Sequence, residues 1–133
     1  MEFDDLSNRV IGLAIEVHRS LGPGLLENTY QECLALELEE NRINFEKEKE
    51  LPVIYKGLEV KCGYRIDLLI ENKLILELKS VTSIIPIYEA QLLTYMKLSK
   101  IGIGLLINFN VKVLKNGIKR FVLDPSCSSR ASW

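Results

Sequence analysis

Tyr64-Arg-Ile-Asp-Leu-Leu-Ile70, Glu71-Asn-Lys73 and Leu74-Ile-Leu-Glu-Leu-Lys79 decide the fold of this chain. Two apolar, strand-like segments flank a three-residue polar turn, the pattern of a β-hairpin. Side chains alternate between the faces of a strand, so Glu77 and Lys79 project to the same side. Asp67 lies on the partner strand, close enough across the turn to join them. Two carboxylates and an ammonium on an otherwise apolar hairpin are costly to bury uncompensated. A divalent cation compensates them, and so does a structural ion pair between Lys79 and either acid. These three residues alone do not separate the two readings.

Outward from the hairpin, the periodicity changes. Leu6, Val10, Leu13, Ala14, Val17 and Leu21 recur at helical spacing, so residues 4–20 read as an amphipathic helix, broken by Gly22-Pro23-Gly24. A second helix follows from about Leu25 to Asn41. Ile43–Leu51 starts by alternating apolar and charged residues and ends in Glu46-Lys-Glu-Lys-Glu50, an edge strand whose charges discourage edge-to-edge pairing. Val53-Ile-Tyr55 and Leu58-Glu-Val60 around Lys56-Gly57 suggest another hairpin, leading into the Asp67 strand. Pro86 suits the first turn of a third helix, running to about Ser99. Ile101–Phe109 is almost wholly apolar and reads as a strand buried on both faces. Asn116-Gly117 predicts a turn between Val111–Leu114 and Ile118–Leu123. The order is thus α, α, β, β, β, β, α, β and a short final hairpin, with helices covering a mixed sheet.

The 133 residues are expected to form one domain, residues 1–124. The Ser-rich tail, residues 125–133, is expected to be disordered and need not be native sequence. No apolar run approaches the roughly 18 residues that span a bilayer. The acidic start lacks the basic region of a secretory signal, so the expected location is cytoplasmic, with no membrane partner. Cys33, Cys62 and Cys127 form no Cys-x-x-Cys pair, which argues against a disulfide framework and against zinc or iron–sulfur sites; Cys33 reads as a core residue. The net charge of −1 hides an asymmetry, −7 over residues 1–90 and +6 over residues 91–133. The basic half suits either a polyanion or a solvated surface.

The spacing Asp67-x9-Glu77-x-Lys79 has a chemical logic. Asp67 and Glu77, with the carbonyl oxygen of Leu78, are the hard oxygen ligands that Mg²⁺ (or Mn²⁺) prefers. Lys79 beside a metal-bound water can orient or deprotonate it, or stabilise charge developing on phosphorus. Glu27, Tyr30, Leu34 and Leu38 stand at i, i+3, i+7 and i+11, which puts the acid on the buried stripe of the second helix. It reads either as a ligand or as a first-turn acid favoured by the helix dipole. Gln91 and Tyr95, one turn apart, suit substrate contact or plain packing. His18 is the only histidine, so a histidine metal cluster is excluded; it is expected to cap or pack. Neither a Ser/His/Asp set nor a glycine-rich phosphate loop is present.

Gly24-Leu-Leu-Glu-Asn-Thr-Tyr30 resembles the signature of the GxxExxY proteins, a small-protein group placed in the PD-(D/E)XK nuclease superfamily. Similar, too, are Glu16–Gly24, Tyr55–Gly57, Cys62–Asp67, Glu77–Lys79, Glu89–Tyr95 and Gly104–Asn110, so the resemblance covers about residues 5–123. It implies an α/β (mixed α+β) fold with a restriction-endonuclease-like αβββαβ core, whose central mixed sheet is flanked by helices and carries the metal site on its hairpin. Carried over, Glu27 resembles the first-helix acid, Asp67 and Glu77 the metal-binding acids, and Lys79 the catalytic lysine, with Tyr30 in support. Gln91 and Tyr95 resemble the Gln-x-x-x-Tyr motif of the RecB-like and lambda-exonuclease-like branch. Ile66 replaces the proline that often precedes the motif aspartate. The four cluster-binding cysteines of some RecB-like nucleases are missing, so no iron–sulfur cluster is implied. The expectation is a divalent-metal-dependent nuclease cutting phosphodiester bonds in DNA, aided by a partner protein or a second copy. The alternative is a non-catalytic nucleic-acid- or partner-binding module on the same fold.

Overall fold

The computed structural model describes residues 4–124, and the expectation for the tail at 125–133 lies outside them. Helix α1 (Asp5–Leu21) begins where the Asp4 side chain accepts the Ser7 N–H at 3.0 Å and the Ser7 hydroxyl at 2.7 Å. This N-cap satisfies a donor that has no partner within the helix. The helix ends at Gly22, whose φ of 72° suits glycine and whose N–H returns to the His18 carbonyl. Helix α2 (Glu27–Glu40) follows directly.

Five strands separate α2 from α3 (Pro86–Ser99), one for each strand segment that the sequence marks and one more than the four in the predicted order. They are β1 (Phe45–Glu50), β2 (Val53–Tyr55), β3 (Leu58–Val60), β4 (Arg65–Ile70) and β5 (Leu74–Lys79). β2 and β3 form the predicted hairpin and pair only with each other, as a separate two-stranded sheet. Beyond α3 come β6 (Ile103–Asn108), a 3₁₀ turn at Leu114–Gly117 and β7 (Ile118–Val122).

The main sheet runs β1-β4-β5-β6-β7, with β5 and β6 parallel and the other neighbours antiparallel. The charged strand β1 sits at one edge, as its alternating charges predict. The final hairpin does not form as predicted. Residues 111–113 are irregular, and β7 pairs with β6 instead. Leu114 is buried in the core, which pulls the segment before Asn116-Gly117 out of line as a strand. Gly117 lies directly against the Asn108 carbonyl, where any Cβ would collide with backbone.

Two cores flank the sheet. On one face Val10, Ala14 and Val17 of α1 and Tyr30, Leu34 and Leu38 of α2 pack on Leu68, Leu76, Leu105 and Ile107. On the other, Leu92, Tyr95 and Met96 of α3 meet Ile66, Leu69, Ile75 and Leu106. Gly104 lets α3 approach β6, because a Cβ there would lie 2.7 Å from Met96 Sδ. Cys33 is half-buried at the margin of the first core. His18 is buried in the last turn of α1, with Nε2 2.7 Å from the Val111 carbonyl. No helix among the described residues is long and apolar enough to cross a membrane.

Candidate active site

The β4–β5 ladder runs regularly through Ile70↔Leu74, Leu69↔Ile75 and Leu68↔Leu76, then stops. The next pair in that register is Asp67 and Glu77, and there side chains take over from backbone. The Asp67 N–H donates to Glu77 Oε2 at 2.9 Å, and the Leu78 N–H donates to Asp67 Oδ2 at 2.8 Å. Two carboxylates thus satisfy the backbone donors freed as the strands diverge. The other side of β4 is interrupted at the same point. Lys47↔Leu68 and Lys49↔Ile66 pair, but Glu48 and Asp67 between them do not, and Glu48 has φ of 56°. Ile66 and Leu68, two residues apart, consequently join opposite cores. The strand alternation slips at Asp67.

Glu77 is only 6% exposed. Burial first, and then the negative charge of Asp67, push its carboxyl up to about 8. Burial chiefly, with Glu48 and Glu27 adding like charge, pushes Asp67 up to about 6, against the opposing Leu78 N–H bond and Lys79. The two titrate as a pair, and near neutral pH the pair retains a proton. No ion pair joins Lys79 to either acid among the described residues, so the structural salt bridge that the sequence left open is not made. Lys79 Nζ instead lies over the Tyr88 ring, 4.6 Å from its centroid.

Glu27 is not on the buried stripe. Tyr30, Leu34 and Leu38 are fully buried, but Glu27 is exposed at the α2 N-terminus. An N-terminal turn has solvent on one side, and the stripe only closes over the sheet from Tyr30 onward. Its carboxylate accepts the Ser80 N–H at 3.4 Å, at the rim of the hairpin end that carries Lys79. Tyr30 holds this rim in place. Its hydroxyl donates to the Gly22 carbonyl at 2.6 Å and accepts the Leu25 N–H at 3.1 Å, while its ring stacks on Phe109 with centroids 4.3 Å apart. The Leu25 carbonyl in turn accepts the Ser80 hydroxyl at 2.6 Å.

Gln91 and Tyr95 face the same end of the sheet from α3, with Gln91 Nε2 donating to the Tyr95 hydroxyl at 3.1 Å. Burial and then the Glu77 charge push the Tyr95 hydroxyl up, so it remains a proton donor at neutral pH. Asn108 fixes the chain beyond Lys79: Oδ1 accepts the N–H of Val81 and of Asn110, and Nδ2 donates to the Val81 carbonyl. Two of the C-terminal cations are already paired, Lys119 with Glu89 and Arg120 with Asp4.

Three residues not marked by the sequence reading join the site. Ser80 and Glu48 carry no local signal, because each is brought in by an element distant in the chain. Tyr88 does carry one: Tyr88, Gln91 and Tyr95 stand at i, i+3 and i+7, a stripe facing the hairpin. Among the described residues, no three His, Cys, Asp or Glu side chains converge closely enough to form a complete metal cage.

A mixed sheet between helices on both faces, with two acids and a lysine at the diverging end of its central hairpin, is the arrangement of one nuclease class. The chain belongs to the PD-(D/E)XK nuclease superfamily, which it matches over residues 4–121. No curated protein matches it. Among solved structures it is similar to the crystal structure of SSO0001, at 25% identity and a TM-score of 0.51. That match covers 78% of this chain and 55% of the other, so this chain spans little more than half of that protein's length. It is also similar in fold to an alkaline exonuclease from Laribacter hongkongensis, at 12% identity and a TM-score of 0.51, over 96% of this chain and 76% of the other.

Proposed function

We propose that the chain is a divalent-metal-dependent nuclease that hydrolyses phosphodiester bonds, with DNA as substrate. The observation that carries this reading is the pair Asp67 and Glu77, facing across the opened hairpin with Lys79 beside them. Each acid uses one oxygen on a backbone N–H, and the second oxygen of each has no protein donor among the described residues. Two desolvated carboxylates pushed up in this way need a cation to be ionised together. Two carboxylates and the Leu78 carbonyl suit Mg²⁺ (or Mn²⁺), an ion that keeps several waters and asks for no full protein cage. Glu27 joins the set from the rim through a water. When bound, the ion supplies Lewis acidity toward phosphate oxygen and lowers the pKa of its water.

The protein's own groups do the remainder. Asp67 and Glu77 hold negative charge where the ion must sit, and their backbone bonds keep both from rotating away. Lys79 projects from the same strand face as Glu77, where its ammonium pairs with a non-bridging phosphate oxygen or orients the attacking water. The Tyr95 hydroxyl, kept protonated and fixed by Gln91, donates to the phosphate backbone. Ser80 anchors the rim to the hairpin end, so Glu27 and Lys79 keep a constant spacing.

The test is cleavage of single-stranded, duplex and branched DNA, and of RNA, in Mg²⁺ and in EDTA. Lys79→Ala and Glu77→Ala serve as controls. Metal-dependent cutting of DNA is expected, reduced about 10²–10⁴-fold by Lys79→Ala. Equal cutting by wild type and both variants would remove the site from consideration. Binding of metal and DNA without any cutting would favour the binding module instead.

A further inference from the structure

Beside the acids, α3, Tyr64 just ahead of β4 and Lys79 of β5 border an open cavity of about 670 Å³ whose interior no step above uses. Tyr64, Ile87, Tyr88 and Tyr95 line it, and Lys79 and Gln91 stand in its wall. This volume lies in the range of small-ligand pockets, and its lining combines ring faces and alkyl groups with a few polar atoms. Tyr95 is buried, whereas Tyr64 is 45% exposed and Ile87 64% exposed. The Tyr64 and Tyr95 rings tilt at 57°, with centroids 6.1 Å apart.

We propose that this cavity takes an unpaired nucleobase of the strand being cut, stacked against Tyr64, and that the enzyme therefore acts on single-stranded or frayed DNA. The inference rests on the nuclease reading above for the position of the phosphate. Lys79 belongs to both places: a phosphate held by Lys79 brings the base of an adjoining nucleotide to the cavity. Aromatic walls accept any base, since each has a π-face, and stacking needs no sequence-specific hydrogen bonds. Gln91 supplies the hydrogen-bonding group that a base edge can use. A purely apolar peptide side chain would leave the Lys79 ammonium facing hydrocarbon, which disfavours that occupant. A base within a duplex is already stacked and paired, so it can enter only after leaving the helix.

The test measures binding in Mg²⁺ of short phosphorothioate-linked strands that resist hydrolysis. One carries thymine throughout, and one carries abasic sites at every position. Wild type is expected to bind the base-bearing strand about 5- to 100-fold more tightly. Tyr64→Ala brings this preference close to unity, Tyr64→Phe restores it, and Ile87→Ala, at an exposed position, reduces it. Equal affinity of wild type for both strands overturns the proposal, as does a preference that survives Tyr64→Ala and Ile87→Ala. A self-association removed by Tyr64→Ala, without any base preference, overturns it and assigns the face to a second copy. The nuclease reading stands or falls separately. Base-dependent binding with no metal-dependent cutting removes the nuclease alone, and Lys79-dependent cutting without base preference removes only the pocket.

Discussion

Replacing Glu77 by Gln keeps the side chain's size and its acceptor for the Asp67 N–H but removes its charge. In the metal-free protein this carboxyl is raised from 4.5 to about 8, by burial and then by Asp67. The folded state therefore holds a proton that the unfolded chain has already released. For such a group, stability is highest below pH 4.5 and declines as pH rises through about 8. Each pH unit inside the window costs about 1.4 kcal/mol, which for this group amounts to roughly 2 kcal/mol between pH 6 and pH 8. Glu77→Gln has no proton to lose, so its stability should stay flat over the same range apart from the Asp67 contribution, which fades above about 6. Urea unfolding in EDTA at pH 6, 7 and 8 reads this directly through the midpoint. Mg²⁺ should reverse the sign of the comparison. At about 100 times its Kd it stabilises wild type by about 2.7 kcal/mol, and it should do little for the variant. A variant whose stability falls with pH as steeply as that of wild type would refute the reasoning. So would equal stabilisation of both by Mg²⁺.

Four further outcomes follow from the geometry. Asp4 is held down to about 2 because its bonds from Ser7 and Arg120 outweigh the upward push of burial, so its contribution is full above 3.8 and is lost as pH falls through about 2. Asp4→Ala should cost about 1 kcal/mol at pH 7, a figure reduced for solvent screening because the side chain is 34% exposed, and markedly less at pH 2 in thermal unfolding. Gly104→Ala should cost about 1 kcal/mol, because Met96 Sδ and the Leu92 methyl that it meets belong to flexible side chains. Gly117→Ala should cost about 3 kcal/mol in the same chemical-denaturation assay, because it meets the Asn108 backbone, which cannot yield. Tyr30→Phe removes both hydroxyl bonds that hold residues 22–25, and should lower stability by about 1–2 kcal/mol. It should also slow cleavage by about tenfold and weaken Mg²⁺ binding, since the rim that carries Glu27 reaches the hairpin through Ser80.

Periodicity alone settled the helices, the hairpin and the charged edge strand, because each is a local pattern of burial along a short stretch. Asp67, Glu77 and Lys79 were legible for the same reason: a three-residue turn places them opposite one another whatever the rest of the chain does. Glu27 shows where a local pattern misleads. Helical spacing puts it on the stripe of Tyr30, but a first-turn residue is buried only if another element covers that end, and none does. The final hairpin failed similarly, because β6 already offered β7 a partner and the core claimed Leu114. Ser80 and Glu48 join the site through contacts between elements far apart in sequence. The three-tyrosine cavity is likewise assembled from segments far apart in the chain, Tyr64, Lys79 and α3. Sequence by itself determined which residues can carry charge on the central hairpin. Tertiary structure decided that the ladder opens at Asp67 and Glu77, since divergence of two strands depends on what packs against both faces of the sheet.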